Sequence, residues 1–312
     1  MLLSKLFNTK YLAYELFLND ELSDLYVPHI LNKKTNTEIK ESITSKNTAV
    51  KLLTIVCDMP SYLQIQSANT NKKLGQLNIK QYKGFLVNLS NHSTVTSYMD
   101  THLSKRNKKN LFSKQRKLEL NHQIRYEVFT GIMEKKEYDY IFEVFYNLLK
   151  ERFKEKKIYN RYLPKWSALQ ASSYEKIVNK KASLHVIFDK DKPISITLNY
   201  HLADITFSHI QAYDINYSNY NLGDISIYKQ LEWCILNDKT IFDLSIGKTD
   251  YKSKWCNETY VLNYHIFYKK HIVLPVMLAY ATKMELLTKQ FLRDKTFIGN
   301  KWSIDKIKYR LN

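Results

Sequence analysis

Arginine is scarce in this chain of 312 residues: seven of them, within a Lys+Arg total of 48. Lysine holds phosphate as a point charge, whereas the planar guanidinium fork reads bases, so a formal charge of +18 implies attraction to anions without a base-reading surface. Cysteine is scarcer. Cys57, Cys234 and Cys256 are odd in number, lack C-x-x-C spacing and are scattered over apolar segments, a pattern that suggests neither a disulfide framework nor a zinc site. Reduced thiols fit a cytoplasmic protein, and Cys256 reads as a buried thiol before it reads as a nucleophile. Six glycines and five prolines exclude a collagen-like or Pro/Gly-rich disordered chain. Long apolar runs are missing too: 272–280 is broken by Pro275 and falls far short of the roughly 20 residues that span a bilayer. The opening MLLSKLFNTKYLAYELFLNDEL sets its apolar residues at helical spacing and interrupts them with Lys5, Lys10 and Glu15, unlike a secretion signal. Together these features predict a cytoplasmic protein, free or peripheral at the inner membrane face.

The hydrophobic content, 44%, is enough to bury a core, and the length allows two domains. Over residues 1–100 short helical and strand patterns alternate without a chemical motif; AVKLLTIVCDM from Ala49 and YKGFLVNLS from Tyr82 read as strands. From 100 to 120 a basic run carries Leu103, Leu111, Phe112 and Leu118, which predicts a helix with a narrow apolar stripe and a solvated lysine face. The strand HQIRYEVF follows. From Glu137 an amphipathic helix sets Tyr140, Phe142, Phe145 and Tyr146 as a core stripe, and Pro164 opens another helix. SLHVIFD, ISITLNYHL and TFSHIQAYD then alternate with period two and are joined by turns short enough to demand antiparallel neighbours. A helix over 223–238, a strand over 240–246, a strand over 259–269 and a closing helix complete the mixed α/β order.

The stretch 213–255 carries the chemistry. Gly223 opens a helix, where unpaired backbone N–H groups and the absence of a side chain suit an anion. The expected phosphate contacts are the N–H groups of Leu222, Gly223 and Asp224, with Lys229 or Lys248 adding charge. Asp243 lies inside the apolar IFDLSIG; burial would raise its pKa towards the range of a general base, or it holds the Lys252 ammonium. His209 and Asp214 are the other base candidates. No metal-ligand spacing occurs.

The pattern Tyr-x-x-x-x-Leu-Gly, helix, Phe-Asp-x-x-x-Gly-x-x-x-Tyr-Lys-x-x-Trp resembles the acyltransferases of the GNAT superfamily, in the CelD/BcsL-like branch related to the FemABX peptidyl transferases. It is carried by Tyr217 or Tyr220, Gly223, Phe242, Asp243, Gly247, Tyr251, Lys252 and Trp255, and reaches back more weakly to Arg106. Asn221-Leu222-Gly223 replaces the common Ser-Pro-Gly, and the glycine-rich phosphate loop is reduced to one glycine. The resemblance implies a mostly antiparallel sheet flanked by helices in two tandem GNAT-like domains: a degenerate one over 1–100 and the acyltransferase domain over 101–312. It implies acyl-CoA or acyl carrier protein as donor and no metal. Pantetheine would pair along strand 205–213, and Tyr251 would protonate the departing thiolate. The acceptor would be an amine or hydroxyl of an amino sugar, amino acid or amino-lipid. Two alternatives stand beside it: aminoacyl-tRNA-dependent peptidyl transfer as in FemABX-like enzymes, and a non-catalytic basic protein that binds nucleic acid or a partner on a decayed fold. An acidic carrier protein or an anionic membrane surface is the partner the charge favours over nucleic acid.

Overall fold

The computed structural model describes residues 7–39, 43–48, 51–68, 73–295 and Tyr309. The first six residues of the expected N-terminal helical pattern, and Ala49 and Val50 of an expected strand, lie outside them. The chain divides into two compact units.

The first unit comprises Met1–Leu86, Ile246–Lys248 and Glu258–Trp302. Strand β1 (Phe7–Tyr11) leads into helix α1 (Leu12–Asn19), and β2 (Glu21–Ser23) pairs in parallel with β5 (Thr44–Lys46). Strand β3 (Tyr26–Asn32) lies antiparallel to both β4 (Thr37–Ile39) and β7 (Leu63–Ser67). Strand β6 (Leu53–Pro60) takes β1 in parallel on one side and β14 (Glu258–Lys269) antiparallel on the other, and β14 also pairs with β8 (Leu74–Asn88). Helix α8 (Val273–Asp294) buries Ala279 against Leu53, Ile79 and Ile266. The helical spacing at the N-terminus gives a strand over residues 7–11, because β6 offers them a complete parallel ladder. Gly84 interrupts β8 for a steric reason: a Cβ there would collide with the Tyr260 ring across the ladder.

The second unit comprises Val87–Ser245, Thr249–Asn257 and Ser303–Asn312. Its helices are α2 (Val95–His102), α3 (Lys105–Asn121), α4 (Lys135–Lys156), α5 (Trp166–Val178), α6 (Leu222–Leu236) and α7 (Asp250–Trp255). Its strands run β9 (Ile124–Phe129), β10 (Ala182–Asp189), β11 (Lys192–Leu202), β12 (Ile205–Tyr213) and β13 (Ile241–Ile246). Neighbours β9 to β12 are antiparallel, and β12 to β13 is parallel. Consecutive residues of a strand face opposite ways, so the bonds of Tyr200 to Ser173 (3.0 Å) and of Asn199 to Gln230 (2.9 Å) set α5 and α6 on opposite faces of the sheet. The α6 side carries a core in which Tyr98, Leu118, Ile225, Phe242 and Trp255 are fully enclosed.

The basic run forms two helices. Thr94 and Ser104 each cap one through a side-chain oxygen, and Leu103 is buried between them. Of its apolar stripe Leu111 and Leu118 are buried, but Phe112 is 45% exposed, because a seven-residue spacing returns only the two leucines to the core. The α4 stripe is narrower than expected for the same reason: Phe142 and Phe145 are buried, while Tyr140 is 46% exposed and donates to the Asp191 carbonyl. No helix among the described residues is long and apolar enough to cross a membrane.

Candidate active site

The parallel ladder between β12 and β13 is short: Ile205, Thr206 and Phe207 pair with Ile241, Phe242 and Asp243, and β12 then runs on to Tyr213 without a further rung to β13. A bulge lies just past the last rung, since Ser208 pairs with Asn199 and Ile210 with Leu198, leaving His209 as the extra residue. Past Phe207 one edge of β12 therefore has no further ladder rung to β13, beside a local kink.

At the end of β12, Asp214 caps the turn Ile215–Tyr220 by accepting from the Asn216 N–H (3.0 Å) and also accepts from the Lys192 ammonium (2.8 Å). Burial pushes Asp214 up, but the bonds from Lys192 and Asn216 outweigh it and hold the carboxyl below its ordinary range, which suits a cap better than a base. Tyr217 ties the same turn to β10 through Asp189 (2.7 Å), which His122 also contacts (2.7 Å). Asn221 then adopts φ 57° and α6 begins at Leu222. Gly223 faces open space, with no atom within 4 Å of where its Cβ would be.

Of the three expected amide donors, Asp224 is spent: its N–H donates to the Asn221 carbonyl at 3.0 Å. Its carboxylate is buried and accepts from the Trp255 indole (2.8 Å), the Lys254 ammonium and the Asn221 amide. Asp224 thus fixes the first turn of α6, leaving Leu222 and Gly223 at the helix start. Lys229 sits about 9 Å further along the axis at 1.5 Å per residue. There it pairs with Glu232 (2.9 Å) and lies over the Tyr126 and Tyr228 rings, lining a cavity of about 300 Å³ with His185 and Trp233. Lys248 is exposed in the turn after β13, next to Gly247 with φ +89°.

Tyr251 is the second residue of α7, which Thr249 caps, and is 39% exposed. Burial raises its pKa, Cys256 adds to that, and the Arg152 charge opposes it. Asp243 is buried and accepts from the Ser245 N–H at 2.7 Å. Lys252 is also buried, which lowers its pKa against the upward pull of Asp243. Cys256 is pushed up to about 12, chiefly by burial, so it is a thiol at neutral pH and a poor nucleophile. The structure thus joins Arg152, Tyr251, Cys256, Lys252 and Asp243 in one electrostatic cluster. His209 sits instead among the rings of Tyr162 (5.2 Å), Tyr200 (5.3 Å) and Phe207 (6.2 Å), where burial lowers its pKa to about 4. A neutral imidazole at pH 7 can accept a proton, though weakly.

Arg152 escaped the sequence reading. Its signal was the scarcity of arginine itself: in a chain that uses lysine almost everywhere, an arginine within an amphipathic helix stands out.

Two further histidines beneath α6 have a consequence for stability. His185 is held down to about 3 by burial, and His201, bonded to Ser183 (2.9 Å) and Thr206 (3.1 Å), is lowered by burial and by Lys239. The unfolded chain protonates these rings near pH 6.5 and the folded chain does not. Their contribution is complete above pH 6.5 and is lost as the pH falls towards 3, at up to about 1.4 kcal/mol per pH unit for each group. Urea unfolding between pH 7 and 5 should show this loss, and His185→Gln should flatten it; an unchanged slope would show that His185 is not buried neutral.

Residues 105–253 match the acetyltransferase (GNAT) domain family. The match covers a little under half of the chain and, apart from Ile246–Lys248, lies within the second unit, and the chain shares its fold with FemX. FemX superposes on it with a TM-score of 0.52 at 8% identity, over 73% of this chain and 75% of FemX. L-PGS from Bacillus licheniformis gives 0.40 at 10% identity, over 75% of this chain and 73% of that one. A tandem GNAT protein from the clavulanic acid biosynthesis pathway gives 0.36 at 6% identity, over 69% and 64%. No curated protein matches the chain in sequence. Within the GNAT domain the open β12 edge, the start of α6 and Tyr251 all belong to the second unit.

Proposed function

We propose that the protein transfers an acyl group from acyl-CoA or acyl carrier protein to an amine or hydroxyl of a small acceptor such as an amino sugar, amino acid or amino-lipid. One observation carries the reading: β12 leaves its edge unpaired with β13 just before a helix whose opening glycine faces open space. The donor phosphates lie on the Leu222 and Gly223 N–H groups, where the helix dipole favours negative charge. Pantetheine amides complete the β12 edge, and a strand N–H stabilises the oxyanion that forms when the acceptor attacks the thioester. The acceptor proton passes to Asp243 or His209, and Tyr251 protonates the thiolate as it leaves. Acyl carbon, thiolate and proton balance without a covalent enzyme intermediate. A second reading, transfer from aminoacyl-tRNA, is favoured by the basic exposed face of α3, which carries Lys109, Arg116 and Lys117.

The two readings separate on the donor. A CoA thioester or acyl carrier protein at about 100 times its dissociation constant should add about 2.7 kcal/mol to the stability, read as a higher melting temperature. Gly223→Trp should fold and lose the shift, since its side chain enters the space above the amides. Absence of any shift with acyl-CoA or acyl carrier protein, alongside a shift with charged tRNA, would replace the first reading by the second.

A further inference from the structure

Arg152 reaches from α4 to the open edge of β12. Its Nη1 donates to the Gln211 carbonyl at 2.9 Å, and its guanidinium carbon lies 4.2 Å from the centre of the Tyr213 ring. These contacts fix the plane of the fork. Its Nε is buried and has no hydrogen-bond partner, and no ion pair joins Arg152 to a carboxylate among the described residues. A charged donor held away from water without an acceptor is costly to keep, and here it is kept in one orientation. Nearby, Lys156 has its pKa lowered by burial first and by the Arg152 charge second, and the Tyr251 phenol feels Arg152 as well. A lysine would satisfy a need for mere positive charge, and this chain uses lysine far more often than its seven arginines for that. The fork is needed where a planar oxyanion is held by two parallel bonds.

We propose that the Nε side of Arg152 grips an oxyanion, a carboxylate or a phosphate monoester, carried by the acceptor. The grip rests on the geometry of Arg152; its assignment to the acceptor rests on the acyl-transfer reading, in which the donor phosphates lie at the start of α6 and the arm along β12 is neutral. The acceptor class narrows to small molecules that carry the nucleophilic amine or hydroxyl close to an acidic group.

The test uses the full chain without donor and follows the Nε–H resonance of Arg152, identified by its loss in Arg152→Lys. Acetate and inorganic phosphate are titrated at constant ionic strength against chloride. The resonance should move saturably with one of them and not with chloride, and the one that moves it names the oxyanion. By calorimetry the same anion should bind about tenfold or more weakly to Arg152→Lys and Arg152→Met, and unchanged to Arg125→Lys on β9, whose guanidinium pairs with Glu127. No movement, equal movement with chloride, or full affinity in Arg152→Lys would overturn the grip. If Arg152→Lys weakens CoA binding by the same factor and CoA displaces the anion, the oxyanion is the donor's and the acceptor assignment is overturned. A grip that persists in a protein no acyl-CoA stabilises would leave this inference standing for its anion while the acyl-thioester reading fails.

Discussion

Tyr251→Phe is expected to lower kcat by about two to four orders of magnitude and to leave donor affinity within about twofold. The substitution removes one hydroxyl from a side chain already 39% exposed at the start of α7, so neither packing nor the Thr249 cap is disturbed. Its effect falls on the step at which thiolate leaves. Burial holds the phenol protonated, with Cys256 acting in the same sense, and the Arg152 charge keeps the proton transferable by favouring the phenolate. Stopped-flow or steady-state turnover beside a binding titration separates the two quantities. Equal turnover in Tyr251→Phe and wild type would remove the acid role; an equal loss of binding and turnover would make the hydroxyl part of the donor grip.

Asp224→Asn is expected to destabilise the fold by about 3 kcal/mol. The carboxylate is 5% exposed and bonded at once to the Trp255 indole, the Lys254 ammonium and the Asn221 amide. Asparagine keeps the shape but removes the charge that Lys254 and the first turn of α6 meet. Because Asp224 fixes the turn that presents the Leu222 and Gly223 amides, the donor-induced stabilisation should shrink with it. Urea denaturation measures the first effect and a melting series with acyl-CoA the second. A loss below about 1 kcal/mol would show that Lys254 finds water as readily as it finds Asp224.

Much of the second unit was legible because its signals are local. Period-two alternation and short turns specify the antiparallel run β10 to β12, and the helix over 223–238 and strand over 240–246 appear as α6 and β13 within two residues of their expected bounds. Gly223 and Tyr251 stand out in the letters because their neighbours announce a helix start and a polar turn. The fate of Asp224 was not legible, since the indole and ammonium that bind it come from residues 30 and 31 positions later. The membership of β14 and α8 in the first unit was hidden too, because a strand's partners are chosen by long-range pairing and not by its own composition.

The amino-acid order by itself determined which segments coil and which extend, the excess of lysine over arginine, and the resemblance to acyl-transferring proteins, all of which depend on residues close in the chain. Tertiary structure decided where the β12–β13 ladder stops, that His209 is the bulged residue, and that Arg152 meets Gln211 and Tyr213 at the resulting edge. Those features arise from register and burial, which are set only when distant segments compete for the same backbone donors and the same dry space.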